Sequence, residues 1–213
     1  MRNHAGMSFL RTRDPDTGPG CSEGVCHVYV LPCAYEDLLK LGFSRNPLAR
    51  AQALQARYFE FFDLDRAFLI ETETVRDARD LELRFRHALL EHNAPAPLTV
   101  RREAGGHSEW YRGAYAALAG QADLLEAQGH TVHRPSRDWF ARELAAQGDQ
   151  LFERGSMLLA QLQGDLDWLR RPELGPMRRN LIDALDAHAA LEIDLEPRLP
   201  QALLDWYRGD RPA

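Results

Sequence analysis

The chain has 213 residues, of which 45% are hydrophobic and 27% are charged, a balance that predicts one globular domain, alone or with a helical appendage. Its formal net charge of −6 argues against a generally basic nucleic-acid coat protein, because phosphate binding by bulk electrostatics needs an excess of cations. A local basic cleft is compatible with this total. Of the 26 basic residues, 25 are arginines and one, Lys40, is a lysine. Codon bias accounts for the arginines, but it does not explain the one lysine, whose compact ammonium can lose its proton.

The sequence contains no run of 18 or more apolar residues, so no transmembrane helix is expected. The N-terminus also lacks the continuous apolar core of a signal peptide, which predicts a cytoplasmic protein without membrane contact. In that compartment Cys21, Cys26 and Cys33 are expected to be reduced. A zinc site formed by Cys21 and Cys26 with His27 is an open alternative, although the spacing matches no standard zinc knuckle and a fourth ligand is not evident.

The first predicted elements are two strands and a helix. Residues 1–25 are rich in Gly, Pro and Asp and are expected to form a flexible leader. Two runs at 27–31 and 38–44 have strand composition, and the short connection between them predicts adjacent antiparallel strands. A helix follows, with Ser44 or Asn46 available as its cap.

The later elements complete a predicted α/β (α+β) fold, in which a small three-stranded sheet is flanked by helices and followed by an all-α C-terminal region. Hydrophobic spacing predicts one further strand and six helices. These are the strand at 65–71 and the helices at 48–58, 75–91, 115–128, 138–169, 176–191 and 200–207. Thr74 is expected to cap the second of these helices.

The segment 129–136 contains two histidines and a proline, and it predicts a boundary between a domain at 26–130 and a helical domain at 136–213. Residues 27–120 carry a net charge of −1 and residues 121–213 carry −5, so a phosphate-binding surface is expected in the first domain. Apolar residues at helical intervals predict that the second domain packs as a bundle, through which a homodimer or a protein partner could form.

One constellation of residues links the predicted elements of the first domain. Tyr29 lies in the first strand, Lys40-Leu41-Gly42 in the second, and Arg50 in the helix that follows. Glu82 lies in the next helix, and Glu109-Trp110-Tyr111 closes the domain. In their order and spacing these motifs resemble the GIY-YIG nuclease superfamily. They most resemble its phage and bacterial branch, which has a KIG-type second motif and a Glu-Trp-aromatic closing motif.

The resemblance covers residues 27–120 and implies a metal-dependent endonuclease that hydrolyses phosphodiester bonds, with DNA as the expected substrate. It implies that Glu82 holds a Mg²⁺ or Mn²⁺ ion, since Mg²⁺ keeps much of its hydration and needs few protein ligands. Tyr29 and Lys40 are expected to activate the attacking water, with Lys40 favouring the phenolate or taking the proton itself. Arg50 is expected to bind the scissile phosphate through its guanidinium fork.

Further side chains near these elements are expected to contact the nucleic acid, either along its backbone or through stacking. They are Arg45, Arg57, Arg84, Arg86, His87, His107 and Trp110. Lys40 stands where the resembled family has its second tyrosine. Two alternatives are therefore left open: a catalytically weak nucleic-acid-binding or regulatory protein of the same fold, and an interaction module of a phage-defence or mobile-element system.

Overall fold

The structure, a computed structural model, describes residues 23–100 and 108–210. In this part of the chain one antiparallel sheet packs between helices and is followed by a helical region, which confirms the predicted fold class. The strands are β1 (Glu23–Pro32), β2 (Leu38–Ser44), β3 (Phe68–Thr74), β4 (Asn93–Ala94), β5 (Trp110–Arg112) and β6 (Val132–His133). The helices are α1 (Pro47–Leu54), α2 (Tyr58–Phe61), α3 (Val75–Ala88), α4 (Tyr115–Ala127), α5 (Ser136–Ala145), α6 (Gly148–Gln161), α7 (Gly175–Ala190) and α8 (Gln201–Asp210). Short 3-10 turns lie at Leu90–His92, Leu166–Arg170, Pro172–Leu174 and Glu196–Arg198.

The described sheet has six strands in the order β4-β5-β2-β1-β3-β6, so the prediction of a three-stranded sheet is wrong in its size. The three additional strands, β4, β5 and β6, are only two or three residues long. Strands this short show no detectable alternation, and their pairing with longer neighbours defines them. β1 also begins at Glu23, within the predicted leader, while residues 1–22 lie outside the described residues.

Local sequence signals fix where two of the helices begin. Asn46 caps α1, because its Oδ1 accepts a hydrogen bond from the backbone N–H of Ala49 at 2.9 Å, and Pro47 occupies the first turn. Thr74 caps α3 as predicted, since its Oγ1 accepts from the N–H of Asp77 at 3.1 Å. These caps place α1 directly after β2, and α3 directly after β3.

Two predicted helices are shorter in the structure. The helix predicted at 48–58 ends at Leu54, and α2 then begins separately. The helix predicted at 138–169 is divided, because α5 ends at Ala145 and α6 begins at Gly148. Glycine has low helix propensity, which favours a break near Gly148. The break was not predicted, because the apolar residues on both sides of it have helical spacing.

Strand alternation divides the core of the sheet into two layers. Tyr29 and Leu31 of β1 point to one side of the sheet, the Tyr29 face, where they pack with buried residues of α1, α2 and α5. Val28 and Val30 point to the opposite side, the Val30 face, which α3 and α4 cover. Ala187 of α7 also joins the core on the Tyr29 face. The C-terminal helices therefore pack against the sheet that carries the predicted site.

The C-terminal region has an apolar cluster of its own, which supports the predicted bundle packing. It joins α7 and α8 and consists of Leu185, Leu195, Leu199, Leu203, Leu204 and Tyr207. Within residues 23–100 and 108–210, no helix has both the length and the apolar composition needed to cross a membrane.

Gly42 provides the space for a close contact between the two central strands. It lies opposite Tyr29 in the register of β1 and β2. A Cβ atom built on Gly42 would overlap the hydroxyl and ring of Tyr29, so a side chain here would displace the tyrosine. Glycine is therefore required at this position by the Tyr29 ring that crosses it.

The substitution Gly42→Ala is expected to lower the free energy of unfolding by about 1 to 3 kcal/mol, because a methyl group forced into a packed core causes strain. Gly120→Ala is the matched control, since nothing lies within 4 Å of a Cβ on Gly120 in the interior of α4. That control should be neutral or stabilising by up to about 1 kcal/mol. Urea denaturation measures both, and equal effects of the two substitutions would contradict the predicted overlap.

Candidate functional site

Tyr29 and Arg50 meet on the Tyr29 face of the sheet. The Nε of Arg50 donates a hydrogen bond to the Tyr29 hydroxyl at 3.4 Å. Both side chains are buried, and Arg50 is only 8% exposed. The Oγ of Ser44 accepts from the N–H of Asn46 at 3.0 Å, which turns the chain at the end of β2. This turn brings the first turns of α1, and with them Arg50, back over the tyrosine.

Lys40 is almost completely buried, with 1% of its surface exposed, and its ammonium is surrounded by acceptors. Its Nζ donates to the carbonyl of Leu41 at 2.9 Å, to the carbonyl of Ser108 at 2.9 Å and to Oε2 of Glu109 at 3.1 Å. These three hydrogen bonds use all three protons of the ammonium. Burial lowers the pKa of Lys40 to about 8, although the Glu109 carboxylate opposes this effect and nearby Arg50 adds to it.

Glu109 is held in an unusual backbone conformation. Its φ of 62° lies in the left-handed region, which costs a non-glycine residue free energy. The carbonyl of Glu109 accepts from the N–H of Leu41 at 3.0 Å, and its Oε1 accepts from the Ser108 hydroxyl at 2.7 Å. This conformation presents both the carbonyl of Ser108 and the carboxylate of Glu109 to Lys40, so the ion pair and the turn stabilise each other.

Arg86 connects Glu109 to Glu82. The Nη1 of Arg86 lies 3.5 Å from Oε1 of Glu82 and 3.4 Å from Oε1 of Glu109. Burial raises the pKa of Glu82 to about 7, an effect that Arg86 and Lys40 oppose and Glu109 reinforces. The cluster therefore contains three cationic side chains, Lys40, Arg50 and the partly exposed Arg86, and the two carboxylates of Glu82 and Glu109. An excess of positive charge in a buried place suits an anionic ligand.

The four residues predicted to carry the chemistry fall into two contacting groups, Tyr29 with Arg50, and Lys40 linked through Glu109 and Arg86 to Glu82. Tyr29 and Arg50 are joined by a hydrogen bond, and Lys40 lies close enough to Arg50 and Glu82 for their charges to affect its pKa. They come from β1, β2, α1 and α3, which are separated in the chain. The catalytic roles assigned to them stay predictions.

Two arginines predicted to track nucleic acid lie elsewhere. Arg57 pairs with the C-terminal helix α7, at 2.8 Å from Asp183 and 2.9 Å from Asp186, so its charge joins two parts of the protein. Arg84 lines a groove of about 620 Å³ outside the site. Four of the residues lining that groove are acidic, which disfavours a phosphate backbone there; they are Glu71, Glu73, Asp77 and Asp80.

The remaining predicted contact residues have different environments. Trp110 is completely buried and stacks on Phe62 with ring centroids 6.4 Å apart, so the prediction that it contacts nucleic acid is corrected to a core position. Arg86 belongs to the buried cluster, whereas Arg45 is partly buried after β2 and His87 is exposed on α3. His107 lies outside the described residues.

Sequence reasoning did not assign Glu109 or Gly42 to the site. In the sequence, Glu109 is recognisable only as part of the closing motif. Glu109 lies beside the ammonium because its neighbour Trp110 pairs with Lys40, and this pairing depends on the short strand β5. One signal was present in the composition. A single lysine inside an apolar strand needs a buried acidic partner, and the motif that follows 69 positions later contains one.

One comparison with known families finds a similarity in the first part of the chain. Residues 26–126 match the model of the T5orf172 domain. T5orf172 domains are a phage-associated family of nuclease-like or DNA-binding domains. The expected membership of the GIY-YIG superfamily is corrected by this finding, because the family model that matches is a different one. Neither a curated protein nor a solved structure matches the chain significantly.

The Lys40 ion pair is expected to contribute strongly to stability. Lys40→Met would leave the buried Glu109 carboxylate with only the partly exposed Arg86 as a cation, and loss of the buried partner is expected to cost about 3 to 5 kcal/mol. The double substitution Lys40→Met with Glu109→Gln should cost clearly less than the sum of the single substitutions, because the uncompensated charge is removed. Urea unfolding of the four proteins measures this coupling.

The exposed ion pair between Arg112 and Glu36, with nitrogen and oxygen 3.2 Å apart, provides the control for this cycle. Arg112→Ala should change the free energy of unfolding by at most about 1 kcal/mol. Additive effects of Lys40→Met and Glu109→Gln would show that the two side chains do not depend on each other.

Proposed function

We propose that this protein is a metal-dependent endonuclease that hydrolyses phosphodiester bonds in DNA. The observation that carries the proposal is the buried hydrogen bond between Arg50 and Tyr29, beside a charged cluster that includes Glu82. The Nε of Arg50 lies 3.4 Å from the Tyr29 hydroxyl, and Glu82 lies in the same charged cluster. The match of residues 26–126 to a nuclease-like family supports the same class of chemistry.

Hydrolysis of a phosphodiester needs a nucleophilic water, neutralisation of charge on the phosphoryl oxygens and help for the leaving oxygen. Arg50 suits the second task, because its planar guanidinium can donate two hydrogen bonds to one phosphate. Its burial strengthens this interaction, since the surrounding dielectric is low. The hydrogen bond to Tyr29 also orients the guanidinium within the site.

Tyr29 suits the activation of water. Its hydroxyl accepts a hydrogen bond from Arg50, so the oxygen that would receive or orient a proton lies beside a fixed positive charge. A cation at this distance stabilises negative charge on the tyrosine oxygen when the proton leaves. The ring is held in place by the contact with Gly42, which fixes the position of the hydroxyl.

Glu82 suits a magnesium or manganese ligand. Mg²⁺ keeps several waters and is commonly held by only one or two carboxylates, so a lone glutamate is a sufficient protein ligand. Among the described residues, Arg86 is the one cation within ion-pair distance of Glu82, with its Nη1 3.5 Å from Oε1. A bound ion would supply positive charge to the phosphoryl oxygens and acidify a coordinated water.

Lys40 has a positioning role in this proposal and does not act on the water. All three of its protons are held by acceptors of the protein, so it has no proton directed at a substrate. Through Glu109 it orients Arg86, which in turn contacts Glu82. This assignment replaces the expectation that Lys40 shares the activation of water with Tyr29.

Nucleic-acid binding without cleavage is the second candidate function. One observation favours it: Arg86 pairs with both Glu82 and Glu109, so a cation of the protein already neutralises the carboxylate on which an ion would bind. A site built only for binding would retain Arg50 as a phosphate contact and would not need an ion on Glu82. The two functions therefore differ in their dependence on Mg²⁺.

The purified protein should nick or cut supercoiled plasmid DNA in the presence of Mg²⁺ or Mn²⁺, measured by gel electrophoresis. Glu82→Gln, Arg50→Lys and Tyr29→Phe are each expected to lower the cleavage rate about 100-fold or more, because each removes one group that acts in the transition state. Arg79→Ala provides the control, since Arg79 is exposed on α3, the same helix as Glu82. It should cut at the wild-type rate.

Single-stranded DNA and RNA are tested in parallel lanes. Cleavage of RNA alone would contradict the assignment of DNA as substrate. Binding of plasmid without cleavage under either metal would contradict the endonuclease proposal and favour the second candidate. Equal rates for the wild type and Glu82→Gln would exclude Glu82 as the metal ligand.

A further inference from the structure

A second group of polar side chains lies on the Tyr29 face, outside the cluster around Lys40. His27 of β1 is directly opposite Glu71 of β3, and His133 belongs to the neighbouring strand β6. The ligand atoms that these three side chains offer all lie within 4.8 Å of one another. His133 Nε2 is already 3.2 Å from Oε2 of Glu71. Three adjacent strands therefore direct two imidazoles and a carboxylate to one place.

The Nδ1 atom of His27 is the least explained polar atom in this group. His27 is 6% exposed, and its Nδ1 is buried with no hydrogen-bond partner among the described residues. A buried polar atom without a partner costs free energy, and native proteins rarely leave one. Trp139 of α5 packs edge-on against the ring at 5.1 Å, so the surroundings on that side are apolar. A ligand bound by His27 would remove this cost.

We infer that His27, Glu71 and His133 form a binding site for a transition-metal ion of the Zn²⁺ class. Two imidazole nitrogens and one carboxylate oxygen are a donor set that such ions prefer, whereas Mg²⁺ and Ca²⁺ prefer oxygen alone. Ligand atoms of a tetrahedral zinc site with bonds of about 2.0 Å are about 3.3 Å apart, close to the observed separation of His133 and Glu71. The fourth position of the tetrahedron is left for water.

The donor set of this site contains no thiol. Cys26 is not a donor here, because it points to the Val30 face and packs in the core there. The site differs from the zinc alternative suggested by the cysteines.

The metal site is open to solvent on one side and is independent of the proposed nuclease. The side chains of His133 and Glu71 are 20% and 37% exposed, so an ion can enter without unfolding of the core. When bound, the ion would join β1, β3 and β6. It would also fix the edge strand from which the chain continues into α5. Metal binding here is expected to stabilise the contact between the sheet and the C-terminal helices.

Calorimetric titration of the metal-free 213-residue chain with ZnCl₂ tests the inference, together with visible absorption of bound Co²⁺. We expect one ion per chain and a higher Tm with Zn²⁺. Glu71→Gln and His133→Ala should each weaken binding at least about tenfold, since each removes one of three protein ligands. Both side chains are partly exposed, so these substitutions are expected to leave the fold intact, which circular dichroism verifies.

His130→Ala is the matched control. His130 is exposed and precedes Thr131, whose carbonyl accepts from the N–H of Glu71 at 2.9 Å, yet it is not part of the ligand group. This variant and Glu82→Gln should bind Zn²⁺ like the wild type. Absence of Zn²⁺ binding by the wild type, or equal binding by folded Glu71→Gln and His133→Ala, would overturn the inference. Loss of binding in Glu82→Gln would also overturn it, by assigning the ion to the other cluster.

Discussion

The burial of one ammonium group is the constraint on which the candidate site depends. A lysine with 1% exposure is tolerated only when acceptors replace the water that it has lost, and Lys40 has three of them. One acceptor belongs to β2 itself, and the other two belong to Ser108 and Glu109. The hydrogen bonds of the ammonium therefore hold the two residues that precede β5 against β2. This requirement explains why Glu109 adopts a left-handed conformation that its side chain does not favour.

The ion pair of Lys40 with Glu109, together with strand β2, positions the rest of the site. Glu109 orients Arg86, and Arg86 contacts Glu82 on α3. Two residues beyond Lys40 on the same strand, Gly42 admits the ring of Tyr29, whose hydroxyl accepts from Arg50. Burial disfavours the charged form of both side chains, so it lowers the pKa of Lys40 to about 8 and raises the pKa of Glu82 to about 7. Perturbed pKa values in a charged cluster are typical of functional sites.

The sequence predicts those features of the site that depend on residues close together in the chain. The long strands, the caps at Asn46 and Thr74, and the order of Tyr29, Lys40, Arg50 and Glu82 can be read from periodicity and spacing. The partner of Lys40 could not be predicted in this way. It depends on a three-residue strand, on pairing between positions about 70 apart and on a positive φ, none of which leaves a periodic pattern.

The environment of an aromatic or cationic side chain was equally hard to predict. Trp110 is a core residue and Arg57 is a contact to α7, although composition alone made both suitable for nucleic acid. Tertiary packing decides such cases, because a buried ring and a stacking platform have the same sequence signature. The order of the motifs predicted a nuclease-like class, which agrees with the description of T5orf172 domains. It predicted the wrong family, because the model that matches is not that of GIY-YIG nucleases.

The most direct test of the account is an NMR titration of the lysine side chain. The sequence contains a single lysine, so protein labelled with ¹³C-lysine gives one Cε signal to follow with pH. The account predicts that this signal titrates with a pKa of about 8, and that Glu109→Gln lowers the pKa further because the carboxylate favours the charged form. A pKa near the ordinary 10.5, unchanged in Glu109→Gln, would contradict the buried ion pair at the centre of the site.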